Sequence, residues 1–103
     1  MTAVVSGKLD AIAALARKHA VTRLFLFGSG LSADFDSQRS DLDFLVEFDP
    51  MAPSDHANSY FGLLEDLQQL LGRSIDLIEP GPISNPYFRE EIERTKYPLY
   101  EAA

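Results

Sequence analysis

Apolar and polar positions along this chain change rhythm several times, and each rhythm predicts an element. Near the start, Val5, Leu9, Ile12, Ala13 and Ala16 recur at helical spacing. This predicts a helix over 7–19 with Ser6 as its N-cap and Arg17, Lys18 and His19 in the last turn, where positive charge suits the helix dipole. Residues 22–27 are almost continuously apolar, as a strand buried on both faces would be. The run stops at Gly28-Ser29, and a polar stretch fills 28–40 with Gly28 and Gly30 for tight backbone geometry. Alternation then takes over in 41–48. Leu42, Phe44, Val46 and Phe48 point to one face, leaving Asp41 and Asp43 together on the other.

The second half repeats the alternation of helix and strand. Tyr60, Leu63, Leu64, Leu67, Leu70 and Leu71 form a broad apolar stripe over about 56–71, closed by Gly72 as its C-terminal cap. Ser74–Ile78 reads as a short strand, with Ile75 and Leu77 on one face and Asp76 on the other. Pro80 and Pro82 mark a loop, and Asn85 (N-cap) with Pro86 (first position) opens a last helix to about Thr95. Tyr97-Pro98-Leu99-Tyr100 reads as an extended tail laid across the body. No repeat, low-complexity tract or linker interrupts this order, so one domain over 1–103 is expected. The expected architecture is a two-layer α/β domain, its small mixed sheet covered by helices on one face. The other face must carry Asp41, Asp43 and Asp76 and looks too polar to be packed.

Charge narrows the partners. Sixteen acids against nine Lys and Arg give a net charge of −7, which argues against a surface for DNA or RNA phosphates. It suits a protein that holds cations or pairs with a more basic protein. There is no cysteine, which excludes disulfides and thiolate metal sites. Asp10, Arg17 and Lys18 interrupt any signal-peptide layout, and no apolar run reaches bilayer-spanning length, so a cytoplasmic protein without membrane contact is expected.

Folding does not ask for two acids side by side on a strand and a third on a possible neighbour. Oxygen-only ligands in a shallow site select Mg²⁺, and a pair of such ions can clamp the attacking and leaving oxygens of a phosphoryl or nucleotidyl transfer. The Gly28-Ser29 turn, at the start of a helical segment, adds an anion site beside them. Singly, an Asp-X-Asp is more often a solvated pair and a Gly-Ser just a turn; the ordered set is what carries the chemistry. His19 reads as a helix-end residue, because no second His lies at ligand spacing.

Leu26-Phe27-Gly28-Ser29, Ser40-Asp41-Leu42-Asp43-Phe44-Leu45-Val46-Glu47-Phe48, Leu70-Leu71-Gly72-Arg73 and Ile75-Asp76-Leu77-Ile78 resemble, in order and spacing, the minimal nucleotidyltransferases of the DNA polymerase beta-like superfamily. The resemblance implies that Gly28 and Ser29 hold the triphosphate of ATP. It further implies that Asp41 and Asp43 bind two Mg²⁺ ions, and that Asp76 completes the catalytic one and helps deprotonate the acceptor hydroxyl. It also implies a partner: an HEPN-type toxin that receives AMP from this chain as its antitoxin, or a helical substrate-binding subunit, in a homo- or hetero-oligomer. Two departures stand out. Gly30-Leu31-Ser32-Ala33 replaces the family's Arg-containing run, and the loop before Asp41 is lengthened. Arg39 is the candidate to replace the lost phosphate contact. A non-catalytic antitoxin with a vestigial metal site, and a catalytic subunit modifying a small molecule, are the alternative functions.

Overall fold

The computed structural model describes residues 1–31, 41–81 and 83–103, with Ser29 and Gly30 described by their backbone alone. The order is α1 (Ala3–Ser6), α2 (Leu9–Lys18), β1 (Val21–Phe27), a 3₁₀ turn (Gly28–Leu31), β2 (Leu42–Phe48), α3 (Pro53–Leu71), β3 (Ile75–Ile78), α4 (Pro86–Thr95) and β4 (Tyr97–Glu101). The four strands form one mixed sheet in the order β3-β2-β1-β4. β1 runs antiparallel to both β2 and β4, whereas β2 and β3 are parallel and are joined through α3, as parallel neighbours require.

The alternation read from the sequence is the alternation seen. Leu24 and Leu26 of β1, Leu42, Phe44 and Val46 of β2, and Ile75 and Leu77 of β3 enter the main core. There they meet Val5, Ile12 and Ala16 from α1 and α2, and Leu63, Leu67 and Leu71 from α3. β1 and β2 are the two inner strands, and the near-continuous apolar character of β1 has its reason there. Phe25, Phe27 and Leu45 leave by the opposite face and form a second, smaller cluster with Ile83 and with Ile92 of α4. The α2–α3 layer therefore covers one face as expected, while α4 stands over part of the face expected to be too polar to pack.

Three further details differ from the expected elements. The first helix is two: Ser6 ends α1, whose N-cap is Thr2, and α2 begins at Leu9 with no side-chain cap. The broken helix still buries Val5, which explains its place in the apolar rhythm. The predicted tail is the edge strand β4, where Pro98 is tolerated because an edge can spare one donor. α3 starts at Pro53, ahead of the expected start at about 56, because proline suits the first helical position. Gly72 (φ +65°) does cap α3, and the Asn85 side chain does accept from the amides of Tyr87 and Phe88.

His19 holds the two helices together. Its Nε2 lies 2.7 Å from Oδ2 of Asp66 on α3, and Lys18 Nζ donates to the same oxygen at 3.0 Å. The ring reaches α3 across Gly62, where a Cβ would stand 2.7 Å from His19 Cε1. The helix-end role expected for His19 is the one observed.

Candidate active site

Register builds the site. Phe27 on β1 pairs with Asp43 on β2, and Asp43 pairs with Asp76 on β3, so one row crosses three adjacent strands. The next row, Leu26, Phe44 and Leu77, points to the main core, which forces the row of acids to the opposite side. Directly after Phe27 the chain turns at Gly28, with φ +72°. A Cβ there would lie 2.6 Å from Oδ2 of Asp43, so glycine is required both by the backbone conformation and by the approach of the carboxylate. The 3₁₀ turn Gly28–Leu31 follows at once.

The two acids at the centre of this row interact. Asp43 is half-buried, and its carboxyl is pushed up to about 6, first by burial, then by a hydrogen bond to Asp76 and by the charges of Asp76 and Asp41. A hydrogen bond between two carboxyl groups needs a proton, which the raised Asp43 carboxyl would donate below about pH 6. A cation between the two groups would serve the same end. Oxygen-only donors, strong mutual repulsion and partial desolvation are the chemistry that a hard divalent ion such as Mg²⁺ relieves, and in this respect the donor set fits it.

Asp41 stands apart. It is exposed and precedes the first residue of β2, reaching Asp43 through charge. Among the described residues, no group of three or more His, Cys, Asp or Glu side chains is gathered as a metal-ligand set. Asp43, Asp76 and Gly28 are thus brought together, with Asp41 beside them at the strand entrance. Arg39 and the hydroxyl of Ser29 lie outside the described residues.

Asp43 and Asp76 open into a groove of about 600 Å³ between the sheet and α4. Sequence reasoning missed its far wall. Phe88, Glu91, Ile92 and Thr95 line it at the i, i+3, i+4, i+7 spacing of one helical stripe. That stripe is the signal that could have found them, although nothing local says which surface it would face. The wall is fixed from several sides. Ile92 is buried in the second cluster, the Arg89 guanidinium donates to the carbonyls of Pro80 and Ile83, and Lys96 Nζ sits 4.2 Å from the centre of the Phe25 ring.

A mixed sheet with acids in register beside a glycine turn is the frame of a nucleotidyltransferase. The nucleotidyltransferase domain family model matches residues 10–97, and the chain belongs to that family. It is 39% identical over 77 residues, 74% of either chain, to MJ1379 of Methanocaldococcus jannaschii, named as a candidate protein adenylyltransferase. Among solved structures, a candidate minimal nucleotidyltransferase superposes with a TM-score of 0.62 at 28% identity, covering 91% of both chains. Toxin–antitoxin structures share the fold at lower identity. One with AMP-PNP gives a TM-score of 0.66 at 18% identity, covering 91% of this chain and 73% of its own. The MntA–HepT pair gives 0.63 at 17%, covering 94% and 73%. The family and the enzyme class expected from the sequence, a nucleotidyltransferase, are those found.

Proposed function

We propose that this chain transfers AMP from ATP to a hydroxyl of a partner protein, an HEPN-type toxin, and acts in the cytoplasm as the antitoxin of the pair. The observation that carries this reading is the pairing of Asp43 with Asp76 beside Gly28, at the mouth of a groove of nucleotide size. A relative named as a candidate protein adenylyltransferase and toxin–antitoxin complexes among the structural neighbours support the acceptor class. In the reaction, the acceptor oxygen forms a bond to the α-phosphorus of ATP as the bond to pyrophosphate breaks.

Asp41 and Asp43 would hold the Mg²⁺ ions, with Asp76 completing the set. Bound there, the ions supply the positive charge that lets a triphosphate approach these acids and that stabilises the attacking and leaving oxygens. Asp76 is exposed and also takes the acceptor proton. The Gly28 turn lets backbone come close to the phosphates without a side chain in the way. Ser29 and Arg39 complete the phosphate contacts in this reading.

Incubating the protein with its genomic neighbour's product, ATP and Mg²⁺ should add nucleotide mass to the partner, seen by intact-mass spectrometry. Asp43→Asn should lower the rate at least ~100-fold while leaving the partner bound. A second reading, neutralisation by binding alone, is favoured by Gly30-Leu31-Ser32-Ala33 in place of the family's Arg-containing run. A partner neutralised by wild type and by Asp43→Asn alike, with no added mass, would establish that reading and end the first.

A further inference from the structure

The groove combines two chemistries. The acids and the Gly28 turn suit phosphates and cations, while Phe27, Leu31, Ile78, Phe88 and Ile92 line it with apolar surface beside Glu91 and Thr95. Four of those five are held in packing: Phe27 and Ile92 are buried, Ile78 and Leu31 partly so. Phe88 differs, because 43% of it is exposed. Its ring is nonetheless held in a T-shaped contact with Phe27, 6.2 Å between centroids and 69° between planes. Such a contact covers at most one face of the Phe88 ring and leaves the other free of Phe27. The first turn of α4 that carries Phe88 is fixed by the Asn85 cap, whose side chain accepts from the Phe88 amide itself.

We propose that Phe88 is the stacking platform for the base of the bound nucleotide and that it gives the site a preference for purines. The inference rests on the nucleotidyl-transfer reading, since that reading places the phosphates beside Asp43 in the same groove. Every base has a flat π-face, and the larger face of a purine covers more of the ring, so the preference follows from area rather than from a hydrogen-bond code. Hydrophobicity alone is not enough; the residue must be flat.

The test is calorimetric binding of Mg²⁺ with ATP, with UTP, and with tripolyphosphate, which has the charge but no base. Wild type should bind ATP more tightly than UTP, and both more tightly than tripolyphosphate. Phe88→Ala should weaken ATP about tenfold or more, the scale of one lost base stack, and narrow the gap between ATP and UTP while leaving tripolyphosphate within about twofold. Phe88→Leu, which keeps apolar bulk and guards against a folding defect, should behave like Phe88→Ala. Phe88→Trp should behave like wild type. Full ATP affinity in Phe88→Leu, or equal losses for ATP and tripolyphosphate in Phe88→Ala, would overturn the platform. If wild type binds tripolyphosphate as tightly as ATP, the platform falls and the transfer site stands. If wild type binds none of the three, both readings fall together.

Discussion

Asp43→Asn should stabilise the metal-free protein, and the size of the effect can be worked from the site. The Asp43 carboxyl titrates near 6 in the fold against an ordinary 3.8. Taken whole, a shift of that size corresponds to ~3 kcal/mol, at ~1.4 kcal/mol per unit. The group is only partly buried, and solvent screening reduces a realistic figure to ~1 kcal/mol. The sign follows from a raised acid. Protonated Asp43 favours the fold; that contribution is complete below the unfolded value and is lost as pH rises from about 4 through about 6. Asparagine never loses it, and its amide donates to Asp76 where Asp43 needed a proton.

Thermal melts of wild type and variant, with chelator, should therefore diverge as pH rises. The two should nearly coincide at pH ~4, and the variant should melt about 4–8 °C higher by pH ~7.5. Other titrating groups cancel in the difference between the two proteins. Mg²⁺ should reverse the order, because it stabilises the ionised pair in wild type and finds one charge fewer in the variant. A difference that stays flat with pH, or a variant that melts lower at pH ~7.5 without metal, would refute the account of Asp43 as a strained, half-buried acid facing Asp76.

Gly28→Ala places a methyl against the Asp43 carboxylate and forces a residue with a side chain to φ +72°, so it should cost about 1–3 kcal/mol in urea denaturation. Ile92→Ala should cost about 2–5 kcal/mol by the same measurement, and it should also weaken Mg·ATP binding, because the groove wall on α4 loses its anchor in the second cluster. Hydrogen bonds from His19 and then Lys18 hold the Asp66 carboxyl below the ordinary carboxylate range. That stability is present above the unfolded value near 4 and is lost as pH falls through the lower folded value. Asp66→Asn should accordingly cost a few tenths to about 1 kcal/mol at pH ~7 and nothing at pH ~2, read from denaturation curves at both.

Much of this architecture is local and was therefore legible in the chain. The α3 stripe, its Gly72 cap and the Asn85-Pro86 start of α4 each depend on residues within a turn or so, where spacing and capping chemistry decide the outcome. The side of β2 on which Asp43 lies follows from a period of two and from the four apolar residues that alternate with the acids. The same reasoning set Asp76 opposite Ile75 and Leu77. Contacts between distant segments were not written in any one stretch. Residues 97–100 read only as an extended tail, and it is the pairing with β1 at the sheet edge that makes them a strand and Pro98 harmless there.

The face expected to be too polar carries Phe25, Phe27 and Leu45 as well as acids, and α4 covers the apolar part of it. An amphipathic helix states that it needs a partner, not which one. The register of β2 with β3 decided that Asp43 and Asp76 stand side by side while Asp41 remains at the entrance. A chain can specify which face of a strand holds an acid through its own alternation. How close two acids come depends on pairing across strands, and that pairing is set by the packing of α3 and the core beneath them.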